Sequence, residues 1–499
     1  MPKTVQEINE RIRRGEAVVL TAEEMVELVR SRGPQAAAEE VDVVTTGTFG
    51  AMCSSGAFLN FGHSDPPIKL GGGEAYLNDV PAYTGLAAVD VYLGATAVSR
   101  SKGMEYGGGH VIEDLVRGRE VELVGRGYGT DCYPRTEIRT TLTLGDLNQA
   151  ILCNPRNSYQ TYVAATNSTD RTIYTYMGIL LPEFGNATFA GAGCLSPLTR
   201  DPEYRTLGTG TRIFLGGGEG YVVGEGTQHS PRNQKGTIMV AGDLKGMDAR
   251  FLRGGTITRY GCTLFVGLGI PIPILDERLA AEAGRGNEEI FIDLVDYGVP
   301  RRERPVLRRV SYAELYSGKI ALNRREIPVS PLTSLRMARE IAELLKRRIE
   351  RGEFLLSEPS RRLPTDTSFS PMKQVEPLLK VGRLMTRRLV TVGPEESLER
   401  AAELIKQHGI DHLPVVERGK LVGIVTSWDL AVSIGTGKRK LREIMTREVV
   451  TAQEEEPIEV VVRRLKQHGI SGAPVVNGKG ELVGIITTDD ISRALEEKK

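Results

Sequence analysis

The chain has 499 residues, too many for one hydrophobic core, so two or three domains are expected. Lysine and arginine together number 64, as do aspartate and glutamate, and a formal charge of zero argues against a nucleic-acid-binding protein. The five cysteines do not have the spacing of a disulfide scaffold, which indicates reduced thiols.

The N-terminal segment carries no apolar stretch of the kind found in signal peptides. No run of about eighteen apolar residues occurs anywhere in the chain. We therefore expect a cytoplasmic protein with no membrane partner and no nucleic-acid partner. A homo-oligomer is also expected.

Helix signals lie near both ends of the first 358 residues. A capping box of Thr21 and Glu24 predicts one helix, which the step from Gly33 to Pro34 is predicted to end. A second helix is predicted to begin after Ser334, because apolar residues then recur at helical spacing. The sequence between these two helices has a different pattern.

Beyond residue 40, short β-branched runs are punctuated by glycine, as in TIMVAG (237–242) and TLFVGLGI (263–270). Such runs predict strands joined by tight turns. Triple glycines also occur, but no phosphate-loop or dinucleotide-binding pattern accompanies them. Residues 1–358 are thus predicted to form a Gly-rich, sheet-based α+β domain, followed by a linker rich in proline, serine and threonine at 359–377.

The rest of the chain contains one unit written twice, at residues 385–430 and 445–491. Each copy has a β-branched run, an amphipathic stretch ending at glycine, and two more apolar runs around a turn, which predicts the order β-α-β-β-α. With these residues in view, the pair resembles a tandem of CBS domains of α/β fold, at 378–437 and 438–499.

The CBS resemblance implies clefts for an adenosine-containing ligand such as S-adenosylmethionine, AMP or ATP. The family's ligand-binding hydroxyl and carboxylate fall on Thr426 with Asp429 and on Thr487 with Asp490. Each aspartate also suits the first turn of the helix that follows it, so a purely structural role is the alternative.

The cysteines carry the chemistry of the N-terminal domain. No C-x-x-C, C-x-x-H or H-E-x-x-H pattern is present, so a metal site or an iron–sulfur cluster within the chain is not expected. Cys132 lies on a predicted loop with three arginines nearby in sequence, whose charge would lower a thiol pKa, although Asp131 would oppose this. Cys53 lies in a Gly/Ser stretch whose backbone donors would stabilise a thiolate or an oxyanion. On this context Cys132 and Cys53 rank above the other three cysteines: Cys153, Cys194 and Cys262.

A second resemblance covers nearly the whole chain. The segments TTGTFGAMCSSGAFLNFGHSDPP (45–67), GYGTDCYP (127–134), NPRNSYQTY (154–162) and GGGEGYVVGEGTQH (216–229) are similar to the homocysteine-biosynthesis family. Its members are L-aspartate semialdehyde sulfurtransferases, and many carry a C-terminal CBS pair.

This resemblance implies that a cysteine persulfide delivers sulfur from a sulfide source to the aldehyde of L-aspartate 4-semialdehyde. A two-electron reduction then gives L-homocysteine. It implies no cofactor bound in the catalytic domain, and a small ferredoxin-like iron–sulfur protein as electron donor. The family's functional cysteines fall on Cys132, as the persulfide carrier, and on Cys53, as a second thiol that resolves or relays it, and the division of these roles stays open.

The substrate carboxylate needs an anchor, and Arg100, Arg135 and Arg139 are candidates because guanidinium binds carboxylate bidentately. Two alternative functions remain. One is an adenine-nucleotide sensor without catalysis. The other is an IMP dehydrogenase-like oxidoreductase with Cys194 as nucleophile, although the predicted elements do not form eight strand-helix units.

Overall fold

A computed structural model describes residues 2–372 and 379–496 of the chain. Its contacts divide the chain into two units, Met1–Ser370 and Pro371–Lys499. Both units mix helices and strands, which confirms the predicted fold class. No helix within the described residues is long and apolar enough to cross a membrane.

Helices of the N-terminal unit pack on the outside of its sheets, and the longest unbroken one is α7. Its N-cap Ser334 accepts a hydrogen bond from the Met337 amide, and one face of the helix is buried, as its sequence pattern predicts. The helices are α1 (Val5–Arg14), α2 (Ala22–Glu40), α3 (Gly108–Val116), α4 (Pro197–Arg200), α5 (Glu277–Ala283), α6 (Tyr312–Tyr316) and α7 (Leu335–Glu350).

Helix α2 corrects one prediction. The capping box of Thr21 and Glu24 is present. The helix does not end at Gly33, however; it kinks there, with φ of 79°, and continues to Glu40. Pro34 then occupies the first turn of the second segment, where its missing N–H costs nothing.

Strands make up most of the N-terminal unit, as its β-branched runs predict. They are β1 (Val19–Thr21), β2 (Val43–Thr45), β3 (Thr48–Ala51), β4 (Gly56–Asn60), β5 (Glu74–Leu77), β6 (Val80–Ala82), β7 (Asp90–Gly94), β8 (Val98–Ser99), β9 (Gly103–Gly107), β10 (Val121–Arg126), β11 (Glu137–Leu142), β12 (Gln149–Tyr159), β13 (Val163–Thr166), β14 (Ile173–Thr175), β15 (Gly178–Leu180), β16 (Ala187–Phe189), β17 (Gly208–Thr209), β18 (Arg212–Leu215), β19 (Gly218–Glu225), β20 (Thr237–Asp243), β21 (Leu252–Ile257), β22 (Gly261–Gly269), β23 (Pro271–Pro273), β24 (Phe291–Asp296), β25 (Val306–Ser311), β26 (Lys319–Leu322), β27 (Arg325–Pro331) and β28 (Arg361–Arg362).

The largest sheet has the order β21-β22-β18-β19-β20-β12-β4-β7, and β3 also pairs with β22. Its inward side chains belong to the main hydrophobic core. Because β3 and β4 are consecutive in sequence but pair with different strands, the loop between them crosses from β22 to β12. That loop carries Cys53.

Two smaller sheets complete the surroundings of the cysteines. The order β25-β24-β13-β16-β27-β26 forms a sheet with its own apolar cluster. The order β11-β10-β5-β6 forms another, and the loop between β10 and β11 carries Cys132.

The start of the predicted linker is ordered structure, which differs from the sequence analysis. Strand β28 pairs antiparallel with β17, and Leu363 is buried against the main core. The composition of 359–377 is polar, yet two backbone pairings and one apolar side chain suffice to hold its first residues on the N-terminal unit. Residues 373–377 of the predicted linker lie outside the described residues.

The C-terminal unit repeats one arrangement twice, as predicted. Its helices are α8 (Val381–Leu384), α9 (Leu398–His408), α10 (Ser427–Ser433), α11 (Ile458–His468) and α12 (Thr488–Glu496), and its strands are β29 (His412–Glu417), β30 (Lys420–Thr426), β31 (Ala452–Gln453), β32 (Gly472–Val476) and β33 (Leu482–Thr487). The first strand of the second copy, β31, runs parallel to β32. In the first copy that strand is reduced to a single parallel bridge between Val392 and Val415.

Candidate active site

Cys53 lies in the loop between β3 and β4 and is partly buried. The Thr263 hydroxyl donates a hydrogen bond to its Sγ at 3.3 Å. Thr263 is fully buried on β22, and the Met52 amide donates to the Leu264 carbonyl at 2.8 Å. The pairing of β3 with β22 therefore fixes the thiol against a buried hydroxyl.

Two neighbours of Cys53, Tyr159 and Tyr260, belong to a group of tyrosines in mutual contact, which we call the tyrosine cluster: Tyr159, Tyr162, Tyr176, Tyr260 and Tyr297. The Tyr162 hydroxyl donates to that of Tyr176 at 2.9 Å, and the Tyr176 and Tyr297 hydroxyl oxygens are 2.6 Å apart. The cluster joins β12 to the six-stranded sheet, so the site is built between two sheets.

Burial raises the pKa of four phenols of this cluster: Tyr159, Tyr162, Tyr260 and Tyr297. It raises the pKa of Tyr159 to about 12, although the nearby Arg156 charge lowers it and Cys53 in its thiolate form adds to the rise. Burial likewise raises the pKa of Tyr162 and of Tyr297, and the neighbouring Tyr176 adds to both effects. Tyr162 uses its hydroxyl proton on Tyr176, and Tyr297 shares a hydrogen bond with the same residue.

Positive charge flanks the tyrosine cluster on two sides. Arg156 lies on β12, two residues after Asn154, and is partly buried. Its guanidinium donates a hydrogen bond to Gln228. Arg304 stacks on the Tyr297 ring, with its guanidinium 4.1 Å from the ring centroid, and its Nε is buried without a partner among the described residues. A small anionic substrate is suited to such surroundings.

Cys132 has a different environment, exposed on the loop between β10 and β11. Its Sγ is 3.5 Å from the Thr130 hydroxyl. The arginines expected to surround it are engaged elsewhere. Arg135 donates to the Asp65 and Pro66 carbonyls, at 2.6 and 3.0 Å.

Three further arginines considered in the sequence analysis also have other partners. Arg139 forms an ion pair with Glu122 at 2.7 Å, and Arg126 lies 3.4 Å from Glu137. Arg100 stacks on the Tyr76 ring. Antiparallel pairing of β10 with β11 places Arg126 opposite Glu137 and Arg139 diagonal to Glu122, so both guanidinium groups have carboxylate partners on the sheet.

The cation beside Cys132 is Lys69. The Lys69 ammonium donates a hydrogen bond of 2.6 Å to the Tyr128 hydroxyl, and this bond is the main reason that the pKa of Lys69 is raised. The negative charge of Cys132 in its thiolate form contributes to the same rise. Sequence reasoning missed this residue, which is 63 positions away and reaches the loop only through sheet pairing.

The two predicted functional thiols lie at opposite ends of β4. Cys53 precedes the strand, whereas Cys132 neighbours Tyr133, whose ring stacks on His63 after the strand, at a centroid distance of 5.5 Å. The strand's five residues span about 13 Å, since a strand rises about 3.3 Å per residue. Among the described residues, each thiol has a different partner: Thr263 for Cys53 and Thr130 for Cys132.

The other cysteines are less suited to nucleophilic chemistry. Burial raises the pKa of Cys153, of Cys194 and of Cys262. Cys194, the nucleophile of the dehydrogenase alternative, is 4% exposed in a short 3-10 turn before α4. Within residues 2–372 and 379–496, no group of three or more histidine, cysteine, aspartate or glutamate side chains is placed to hold a metal ion.

The C-terminal unit holds its predicted ligand residues in two capping boxes. The Thr426 hydroxyl donates to Asp429 Oδ2 at 2.7 Å, and the Thr487 hydroxyl donates to Asp490 Oδ2 at the same distance. Each carboxylate therefore has a structural role at the start of a helix, α10 or α12.

The second carboxylate oxygen differs between the copies. Asp490 Oδ1 accepts from Arg493 at 2.7 Å and from the Thr386 hydroxyl at 3.3 Å. Asp429 Oδ1 accepts no hydrogen bond from the described residues, and Val432 stands where the second copy has Arg493. Of these two aspartates, Asp429 alone keeps an oxygen that no described residue uses.

Comparisons with known proteins agree with this architecture. Residues 17–356 match the family described as homocysteine biosynthesis enzyme, sulfur-incorporation, and residues 381–435 and 441–497 each match the CBS domain. An L-aspartate semialdehyde sulfurtransferase of Methanocaldococcus jannaschii is 52% identical over 100% of this chain and 99% of its own length. One of Methanosarcina acetivorans is 49% identical over 99% of each chain.

Among solved structures, a CBS domain pair in complex with 5′-methylthioadenosine and S-adenosyl-L-methionine is 42% identical to this chain. It covers 25% of this chain and 100% of its own, with a TM-score of 0.24. The extent of the family match and the identity to full-length relatives exclude the IMP dehydrogenase-like alternative. The chain belongs to the sulfur-incorporating family of homocysteine biosynthesis enzymes and carries a C-terminal pair of CBS domains.

Proposed function

We propose that the protein is an L-aspartate semialdehyde sulfurtransferase in which Cys53 passes sulfur to the aldehyde. The family and the two relatives that carry this name support the reaction. The observation that carries the proposal is the surroundings of Cys53, a partly buried thiol that accepts a hydrogen bond from Thr263 and has Tyr159 and Tyr260 as neighbours. Protein donors in a partly dry pocket stabilise developing charge better than water does.

We assign Cys132 to an earlier step, acceptance of sulfur from an external donor. Its exposure on a loop suits contact with such a donor, and the Lys69 ammonium is nearby to stabilise a thiolate or persulfide. Because the thiols lie on different loops, we assign the passage of sulfur to Cys53 to movement of the Cys132 loop, a small carrier or a neighbouring chain.

The substrate's charged end is assigned to the arginines beside the tyrosine cluster. Arg156 lies close to the Cys53 loop, since its carbonyl is 3.5 Å from the Ser54 hydroxyl. Arg304 has an unpartnered buried Nε. Either guanidinium suits the α-carboxylate of an amino-acid aldehyde better than Arg135 or Arg139, which are already engaged.

Electrons must come from outside the chain. Conversion of the aldehyde and hydrogen sulfide to a thiol and water consumes two electrons and two protons. If the sulfur arrives as the outer atom of a persulfide, two further electrons release the cysteine thiol. A ferredoxin-like iron–sulfur protein is the proposed donor, since the sequence has no flavin, nicotinamide or cluster motif.

For the CBS pair we propose an adenosine-containing ligand at the first cleft, with S-adenosylmethionine as first choice and AMP or ATP as the others. The free Oδ1 of Asp429 supports this cleft, because a ribose hydroxyl can donate to it while Oδ2 still caps α10. The matching oxygen of Asp490 is occupied by Arg493.

The proposed reaction is tested by loading the protein with a sulfane-sulfur donor such as polysulfide, then adding L-aspartate semialdehyde and a reductant and measuring L-homocysteine. Wild type and Cys153→Ser should both form product, and Cys53→Ala should form none above the uncatalysed level. Cys153 is the matched control, because it is also a partly buried thiol on the same sheet. Wild type that forms no product would leave the sensor without catalysis as the better account.

A further inference from the structure

Four buried side chains beside Cys53 each keep one polar atom without a partner among the described residues. They form what we call the donor cluster: Ser55 Oγ, Asn154 Nδ2, Asn157 Nδ2 and Ser158 Oγ. All four residues are at most 5% exposed. Since seven such atoms occur in the described residues as a whole, more than half of them lie in this one place.

Strand pairing brings the two segments of the donor cluster together. Gly56 of β4 pairs with Cys153 of β12 in antiparallel register, so the next step of the ladder brings Ser55 beside Asn154. The Ser54 hydroxyl is 3.5 Å from Asn154 Oδ1. The donor cluster therefore borders the loop that carries Cys53.

Both amides are oriented by their oxygen atoms. Asn154 Oδ1 accepts from the Arg156 amide at 3.2 Å, and Asn157 Oδ1 accepts from the Ser158 amide at 2.6 Å. With the oxygens fixed in this way, each NH2 group is held as a donor that no described residue uses.

The backbone here departs from regular strand geometry. The pairing of β12 with β20 shifts register on either side of Asn157. Ser158 has φ of 46°, in the left-handed region that serine seldom adopts. Bulges and strained residues of this kind re-aim side chains and are concentrated at functional sites.

Energetics argue that the donors have an acceptor in the working protein. An unsatisfied buried donor costs about 1–3 kcal/mol. Four of them together would consume much of the roughly 5–15 kcal/mol that stabilises an ordinary domain. Native proteins keep few such groups, and a concentration of them calls for a bound partner.

We infer that the donor cluster binds the aldehyde oxygen of the substrate and stabilises the oxyanion formed when sulfur adds. This inference rests on the proposed function. The terminal sulfur of a Cys53 persulfide, in its anionic form, makes a bond to the aldehyde carbon, and the π pair of the carbonyl moves onto oxygen. Negative charge passes from sulfur to oxygen, so the addition needs neither a proton nor an external electron. The asparagine amides and serine hydroxyls then donate to that oxygen.

The test compares Ser55→Ala, Asn154→Asp and Asn157→Asp with wild type in homocysteine formation. Each aspartate keeps the anchoring oxygen and replaces the free NH2 group. We expect kcat to fall about 100-fold or more for each asparagine variant, the scale seen when one oxyanion donor is removed. Binding of L-2-aminobutyrate, which has the same carbon chain without the aldehyde oxygen, should remain unchanged.

Stability measurements separate this role from a structural one. Ser55→Ala should leave Tm unchanged or raise it, because its hydroxyl makes no hydrogen bond to the described residues. The matched control is Asn167→Asp: that amide is equally buried but donates to the Arg171 carbonyl at 2.8 Å. The control should lower Tm and keep kcat per folded molecule.

Each outcome decides between the two proposals. If wild type forms no homocysteine, the proposed function fails whatever the variants do. If wild type is active and all three variants keep its kcat, the inference is overturned and the donors are satisfied by buried water. A marked loss of Tm in Ser55→Ala with unchanged kcat would likewise assign the cluster to folding.

Discussion

At the residue scale, the two thiols are distinguished by their surroundings. Cys53 is partly buried against Thr263, and Cys132 is exposed near Lys69. A thiol that accepts sulfur from a donor must be reachable, whereas one that attacks a bound aldehyde benefits from a shielded pocket. The step that accepts sulfur thus favours an exposed thiol, and the step that attacks the aldehyde favours a buried one.

Substitution of Cys132 should separate loading of sulfur from its transfer. We expect Cys132→Ala to reduce homocysteine formation severely, because the exposed acceptor is lost. Cys53→Ala should still acquire an extra sulfur atom on Cys132 when incubated with a sulfur donor, as measured by peptide mass spectrometry. Full activity of Cys132→Ala at limiting sulfur donor would remove Cys132 from the pathway.

The CBS clefts give a second residue-scale prediction. Asp429→Asn should weaken binding of S-adenosylmethionine by at least about tenfold, since a hydrogen bond to a charged group is worth about 1.5–3 kcal/mol. Asp490→Asn is the matched control and should have a smaller effect, because Arg493 and Thr386 already occupy its free oxygen. Calorimetry on the full chain measures both.

An equal loss of affinity in the two variants would contradict the assignment to the first cleft. If neither S-adenosylmethionine, AMP nor ATP binds wild type below millimolar concentration, the adenosine ligand should be dropped. The CBS pair would then be a structural module.

Sequence reasoning identified the family and ranked the cysteines, but it could not find the donor cluster. NPRNSYQTY (154–162) carries part of the resemblance to the family, yet nothing in the string shows that Asn154 and Asn157 keep free NH2 groups. That property depends on pairing of β12 with β4 and β20, which are distant in sequence. The roles of Cys53 and Cys132 themselves remain predictions.

At the element scale, sequence patterns predicted a helix end correctly where a few neighbouring residues determine it. The capping box before α2 and the apolar spacing after Ser334 predicted the starts of α2 and α7. The predicted end of α2 at Gly33 was wrong, because the helix continues after a kink. That continuation depends on packing of the second segment, including Ala37, against the main core. The polar composition around β28 likewise predicted a linker, but these residues form a strand because they pair with β17.

Helix α5 offers a pH-dependent prediction. Its N-cap Asp276 pairs with both terminal nitrogens of Arg205, at 2.8 and 2.6 Å, and hydrogen bonding to Arg205 lowers the pKa of Asp276 to about 2. A lowered folded-state pKa contributes stability above the ordinary value near 3.8, and that stability is lost as pH falls towards 2.

Asp276→Asn should keep the cap and remove the charge. We expect a lower free energy of unfolding for this variant at neutral pH, by an amount that stays constant down to about pH 5 and shrinks below pH 4. Urea titrations across this range measure the difference. A difference that grows on acidification would show that the ion pair is not its source.

At the scale of the whole molecule, the N-terminal unit contains the proposed chemistry and the CBS pair contains the proposed adenosine site. The catalytic unit has thiols and donors, but its sequence offers no group that stores electrons. The protein is therefore expected to depend on a second protein for multiple turnovers.

Purified protein with sulfide and substrate alone should turn over poorly. Addition of a reduced ferredoxin-like iron–sulfur protein or a strong chemical reductant should restore steady homocysteine formation, because two or more electrons are needed for each product. Product measured with and without reductant over many enzyme equivalents checks this. Sustained turnover without any reductant would exclude the proposed electron donor.

The most direct test of the account locates sulfur during a single turnover. The protein is incubated with a sulfur donor, treated with L-aspartate semialdehyde and reductant, alkylated at successive times, and mapped by peptide mass spectrometry. We expect an extra sulfur atom on Cys53 that disappears as one equivalent of homocysteine forms. Homocysteine formation while Cys53 never carries extra sulfur would contradict the central role of this thiol.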